Sequence, residues 1–214
     1  MLLNKINIPL SKGLEMKNYR EDILNNFIER YEKSSYYKGK SLKPQKISIV
    51  LHERYPQYGQ SRYPEVLEKI EDVVLQLEKE DLIQFAKGSI EGNRKLIFVP
   101  TEERVSKIYQ ELDRTPLKEK RNQYLNCLKM YELDSFFNDF QIAMEEKVFN
   151  YEIVSPYLKV YDQEDLKNVM KILQGMKNQK EEISFRKFSE KVLGDTKKLE
   201  KYKNKIYHII KDFY

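Results

Sequence analysis

Cysteine is nearly missing: Cys127 stands alone in 214 residues. No internal disulfide can form, and no zinc site can be assembled from cysteine pairs. A reducing, cytoplasmic setting is the simple expectation. Only two histidines occur, His52 and His208. Both fall in predicted helices, and neither has a histidine or cysteine at metal-ligand spacing. Seven glycines and seven prolines leave little room for long coil. No apolar run approaches the ~18 residues of a membrane helix, so no membrane partner is expected. The opening stretch MLLNKINIPLSKG is too interrupted for a signal peptide. No internal repeat of fixed period and no low-complexity tract is present.

Catalytic signatures are lacking too. There is no Asp-x-Asp pair and no G-x-S-x-G, and Cys127 has no evident base. A two-metal nuclease needs several convergent carboxylates. Glu145-Glu146-Lys147 is the kind of triplet that a chain rich in Glu and Lys presents on a solvated helix face. No catalytic residue and no metal ligand is assigned.

What is present is helical periodicity. Ile23, Leu24, Phe27, Ile28 and Tyr31 predict a helix over 17–35. KISIVLHER (46–54) is a short apolar segment that Pro56 stops. Pro64 suits the first turn of a helix whose stripe is Val66, Leu67, Ile70, Val73, Val74 and Leu77. LIQFAK and RKLIFVP, separated by GSIEGN, predict a β-hairpin. Three helices followed by a hairpin is the order of a winged helix. The expected fold class is therefore mainly α (α+β): a winged-helix domain with a β-hairpin wing over 1–100, then a helical region over 101–181. In that region Thr101, Thr115 with Pro116, Asp134 or Ser135, and Asp162 are the predicted helix starts. Gly175 is the predicted end of the last of these helices. YEIVSPYLKVY reads as extended chain or loop.

The tail, residues 182–214, reads as a basic helix–cap–helix connector. Within GDTKKLE (194–200), Gly194 is placed to end one helix in a left-handed turn, and Asp195 or Thr196 to cap the next. A phosphate loop would need more glycine and a lysine immediately before Ser or Thr. The order here is reversed and no strand precedes it.

Charge is unevenly distributed. From Tyr36 to Arg62 six basic residues (Lys38, Lys40, Lys43, Lys46, Arg54 and Arg62) face one acid, Glu53. Tyr36, Tyr37, Tyr55 and Tyr58 are interleaved. Cations can hold phosphates and aromatic rings can pack on sugars or bases. A solvated loop with its tyrosines half in the core has the same composition. With Lys87, Arg94 and Lys95 of the wing, the six cations form the candidate DNA-binding set. The helix from Pro64 to Asp81 has seven acids against two lysines. In a winged helix this element enters the major groove, where so acidic a helix would be repelled. Contact is therefore expected through its N-terminus near Ser61 and Arg62, the preceding loop, and the wing. A protein-docking module is the alternative that the acidic helix favours. Ser184–Tyr214 is basic again, nine against four.

Two stretches carry a resemblance. ERYEKSSYYKGKSLKPQKISIVLHERYPQY (29–58) and SFRKFSEKVLGDTKKLE (184–200) look like the nuclease subunit of the Wadjet anti-plasmid defence system, the JetD type. That family shows a tyrosine–x–x–serine helix end, here Tyr31 to Ser34. It also shows a Gly-Asp-Ser-Lys-like junction, here with Thr196 in place of serine. The resemblance implies a catalytic Toprim domain with Mg or a similar divalent metal, which the matched stretches precede and which is absent from this chain. No catalytic residue and no cofactor carries over to it. It implies double-stranded plasmid DNA and an SMC-like motor complex as partners, with the helical section after residue 101 setting a homodimer or motor docking. A stand-alone winged-helix regulator and a protein-interaction adaptor are the two other readings.

Overall fold

The computed structural model describes residues 18–131 and 135–214, with residues 135 and 136 as backbone only. The chain divides into two compact units, one ending at Arg114 and the other running from Thr115 to Tyr214. Among the described residues it is mainly helical with one small antiparallel sheet. None of these helices is long and apolar enough to cross a membrane.

The first unit opens with α1, Tyr19–Lys33. Asn18 Oδ1 accepts from Glu21 N at 3.1 Å, and Glu21 and Asp22 occupy the first turn, where the helix dipole favours negative charge. Ser34 ends the helix. Its N–H and its hydroxyl both donate to Tyr31 O, at 3.0 and 2.6 Å, and its Oγ accepts from Tyr37 N. The Tyr31-to-Ser34 pair is thus a built stop.

Residues 46–54, expected as one helical element, divide into β1, Ile47–Val50, and a single turn α2, Leu51–Arg54. Ile47 and Ile49 are buried while Ser48 and Val50 are only half covered, a period of two that suits β-branched residues on a half-buried sheet. Next come α3, Pro64–Lys79, β2, Gln84–Phe85, and β3, Lys95–Phe98. The sheet order is β1-β3-β2, both pairs antiparallel. Ile23, Phe27, Ile49, Ile70, Val74 and Phe98 fill the core between α1, α3 and the sheet.

Helix α4, Glu102–Glu111, is capped by Thr101, whose side chain accepts from Arg104 N. It belongs with the first unit, so that unit reaches past the boundary expected at residue 100. Ile108 and Tyr109 are buried in the first core. Arg114 pairs with the buried Glu32 of α1, which also accepts from Tyr109 Oη at 2.9 Å.

The second unit holds α5, Leu117–Lys129, α6, Ser135–Phe149, α7, Gln163–Asn178, α8, Phe185–Leu193, a 3-10 turn, Lys198–Tyr202, and α9, Lys203–Phe213. Pro116, not Thr115, is the N-cap of α5, and no side chain caps it. The alternative start at Asp134 lies outside the described residues. Asp162 caps α7 as expected, accepting from Asp165 N. Gly175 does not end α7, which runs on to Asn178. A Cβ at Gly175 would overlap Val192 and crowd Phe188, so its role is close approach of α8 rather than a left-handed stop. The tail is not a separate connector: Ile209, Ile206 and Phe213 of α9 pack into the same core as Phe140 and Met144 of α6 and Leu166 of α7.

Candidate nucleic-acid interface

Glu71 organises the wing side of the first unit. It sits on α3 between Ile70 and Val74, only 6% exposed. Its carboxylate accepts from Arg94 Nε at 2.5 Å, from the Tyr58 hydroxyl, and from Gly92 N at 3.4 Å. One side chain thus joins the loop before α3, the helix itself and the loop of the hairpin. The backbones meet as well: a Cβ built on Gly59 would overlap the carbonyl of Gly92. Arg94 lies 4.3 Å from the centroid of the Phe85 ring, a cation–π contact on the hairpin. Burial, and then the carboxylate of Glu71, push the Tyr58 phenol well above its ordinary value.

A second anchor holds α2. Asp22 of α1 takes Arg54 in a two-pronged pair, both bonds 2.8 Å, and accepts from Tyr55 Oη at 2.5 Å. The bond to Asp22 is the main reason the Arg54 guanidinium is held more firmly protonated. Burial first, and Asp22 second, raise the Tyr55 phenol.

These anchors divide the nine candidate cations. Arg54 and Arg94 are engaged inside the unit, on Asp22 and Glu71. Lys40, Lys43, Lys46, Arg62, Lys87 and Lys95 are exposed, and Lys38 is half-buried. The strand register then separates the rest. Val50 pairs with Lys95 at the wing end of the sheet, and Ile47 pairs with Phe98 at the other end. Lys46, one residue before Ile47, therefore sits about 13 Å along the strand from Val50. Lys87 and Lys95 belong to the wing end, and Arg62 follows three residues after Gly59, which abuts Gly92 of the wing, whereas Lys46 and the turn that carries Lys38, Lys40 and Lys43 lead into the opposite end. Tyr37, Tyr55 and Tyr58 are buried, so of the two roles open to the interleaved tyrosines these three take the structural one.

Helix α3 keeps much of its negative charge outward. Glu71 is internal. Just past its end, Glu80 receives Arg20, which also donates to Glu111 at 2.5 Å, and Asp81 receives Arg104 at 2.7 Å. Glu65, Glu68, Asp72 and Glu78 are exposed.

At the GDTKKLE junction Gly194 has φ 69° and caps α8. Asp195 Oδ1 accepts from Lys197 N at 2.7 Å and Lys198 N at 3.2 Å. Ser189, fully buried, donates to Asp195 O and accepts from Leu199 N at 3.0 Å. The junction is a hydrogen-bonded corner, and the N–H groups of Lys197, Lys198 and Leu199 are turned to these internal acceptors. His52 is exposed on α2, and His208 lies beside Tyr207 on α9. Cys127 is buried. Among the described residues no group of three or more His, Cys, Asp or Glu is placed to hold a metal ion.

The Glu71 cluster escaped sequence reasoning, yet it left a signal. Leu67, Ile70, Glu71 and Val74 follow one helical stripe, so an acid occupies an apolar position. Such an acid needs a buried donor, and Tyr58 and Arg94 supply two.

Compared with protein-family models, with curated proteins and with solved structures, the chain matches none.

Proposed function

We propose that the chain is the DNA-engaging part of an anti-plasmid nuclease subunit of the JetD type, acting in the cytoplasm and carrying no catalytic site of its own. The first unit acts as a winged helix. The order α1-β1-α2-α3-β2-β3 and the sheet order β1-β3-β2 support that reading. The observation that carries the DNA role is the tie between the start of α3 and the wing. Glu71, Tyr58 and Arg94 hold the two together, while Arg62, Lys87 and Lys95, on the segments so joined, stay exposed.

In this reading Arg62, Lys87 and Lys95 hold backbone phosphates of duplex DNA, and the exposed acids of α3 keep that helix from entering the groove deeply. Lys38, Lys40, Lys43 and Lys46 form a second, separate cationic patch. The test is a gel of the purified chain with closed-circular plasmid and with its linear form, in magnesium, at low and moderate salt. A salt-sensitive shift without cutting is expected. No shift at low salt overturns the DNA role, and cutting overturns the absence of a catalytic site.

A second reading rests on Glu65, Glu68, Asp72 and Glu78, which face solvent on α3. They favour α3 as a docking face for a basic partner. A pull-down of the SMC-like motor complex that Glu68→Lys with Asp72→Lys abolishes, with DNA affinity absent from the start, would select it.

A further inference from the structure

Residues 33–52 carry five lysines and no acid. Lys33, Lys40, Lys43 and Lys46 are exposed, and Lys38 is half-buried. Among the described residues none of the five pairs with a carboxylate; the paired lysines lie elsewhere. Two contacts fix where these cations stand. Arg54, just past β1, is held by Asp22 in the first turn of α1, whereas Arg30, near the end of α1, donates to Ser48 O at 2.7 Å. Helix α1 therefore runs antiparallel to β1. Lys33 joins the turn at the end of the sheet away from the wing. Glu102 and Glu103 follow β3 from this end, but they open α4, which Arg104 ties to Asp81 beyond α3.

The turn is built by hydrogen bonds. Lys38 N and Lys40 N donate to Ser34 O and Ser35 O, at 3.2 and 2.8 Å, and Gly39 N to Tyr36 O at 3.0 Å. Lys43 N donates to Ser41 Oγ at 3.4 Å. Tyr37 is buried, its ring edge-on to Tyr31. Leu42, between Ser41 and Lys43, is 99% exposed.

Unpaired cations without intervening acids attract phosphates. A protein interface needs a core of several apolar side chains, and Leu42 stands alone among lysines, Ser41 and Pro44. One leucine is a weak membrane anchor as well. The minor groove of DNA, about 6 Å wide, takes a single apolar side chain between two rows of phosphates. We propose that this turn is a second duplex-binding site, separate from the wing, at which Leu42 enters the minor groove and the lysines hold the flanking phosphates. The inference deepens the DNA reading and rests on it.

The test uses the full chain at low salt and the anisotropy of a labelled A·T-rich duplex. The starting variant, Arg62→Glu with Lys87→Glu and Lys95→Glu, removes the wing cations and keeps a salt-sensitive remainder of affinity. Adding Lys40→Glu and Lys43→Glu weakens that remainder by about tenfold or more and lowers its salt slope by about 0.9 per phosphate contact. Adding Leu42→Ser instead weakens it by about three- to tenfold and leaves the slope unchanged, since an apolar contact releases no counterions. Netropsin, which fills the minor groove, displaces the remainder. All these positions are exposed, and circular dichroism verifies that the variants fold. No remainder in the wing variant, or one that either addition or netropsin leaves unchanged, overturns the proposal while the DNA reading stands. So does a glutamate-rich peptide that binds the wing variant as tightly as the duplex does, since an acidic protein would then own the turn. An unaltered chain that binds no duplex overturns the DNA reading and this site with it.

Discussion

Arg94 Nε reaches Glu71 Oε2 at 2.5 Å, and both side chains are largely buried, 15% and 8% exposed. The pair fastens the hairpin to α3. Arg94→Met leaves a buried carboxylate without its cation, which costs about 3 kcal/mol. Adding Glu71→Gln removes the stranded charge and recovers a large part of that loss. Urea denaturation of the two single variants and the double variant measures the coupling. Additive losses would mean that the pair does not act as a unit.

The two glycines of this region separate conformational freedom from close approach. Gly59 has φ 79° and faces the Gly92 carbonyl, whereas Gly88 has φ 73° with nothing near its missing Cβ. Gly88→Ala meets only the left-handed backbone penalty, about 1 kcal/mol. Gly59→Ala adds an overlap with backbone that cannot rotate away, and the total exceeds about 2 kcal/mol. Thermal unfolding of the two variants side by side gives the ranking. Equal losses would show that the approach of Gly59 to Gly92 is loose.

Three phenols make stability sensitive to alkali. Burial is the first cause that raises Tyr55, Tyr58 and Tyr109 above the ordinary tyrosine value, and Asp22, Glu71 and Glu32 add to it. Their stabilising contribution is fully present below the unfolded value, about 10. As pH rises past it, the unfolded chain loses these protons while the folded chain keeps them, so stability falls. Each phenol contributes a slope of about 1.4 kcal/mol per pH unit in that window. Urea midpoints are expected to be level from pH 8 to 9 and to drop above about 10. Tyr58→Phe lowers stability at neutral pH and makes the alkaline drop shallower. An unchanged drop would assign the alkaline loss to other groups.

At the junction, Ser189→Ala removes one buried hydroxyl and strands Leu199 N, at a cost of about 1–3 kcal/mol. Asp195 is not the N-cap of the 3-10 turn, which is Lys197, but Asp195→Ala removes the acceptor of the Lys197 and Lys198 N–H groups, at a cost of about 1 kcal/mol. Thr196→Ser, at an exposed position, leaves the midpoint unchanged. If Thr196→Ser proves as damaging as Ser189→Ala, the hydroxyl at 196 has a role beyond the corner.

Local chemistry made much of this legible. The helix caps at Thr101 and Asp162 and the left-handed stop at Gly194 follow from residues within a turn of one another. So do the hairpin glycines. Gly175 was misleading because a helix-ending glycine and a helix-crossing glycine look alike until the partner, Val192, is known. The division of KISIVLHER lay in the alternation of Ile47 and Ile49, which a short apolar run obscures. Least legible was the fate of charge. Lys87 and Arg94 are both basic residues of the hairpin region, but only the latter meets a buried acid from 23 residues away. The split of the cations between the two ends of the sheet follows from strand register, which composition does not contain.

The most direct measurement is the salt dependence of affinity for a short duplex, by anisotropy, for three chains. These are the unaltered chain, the triple variant Arg62→Glu, Lys87→Glu, Lys95→Glu, and the quadruple variant with Lys38, Lys40, Lys43 and Lys46 reversed to Glu. Each phosphate contact contributes about 0.9 to the slope of log affinity against log salt. The account predicts that the triple variant loses most affinity and about 3 units of slope, while the quadruple variant loses less. A triple variant that binds as the unaltered chain does would contradict it.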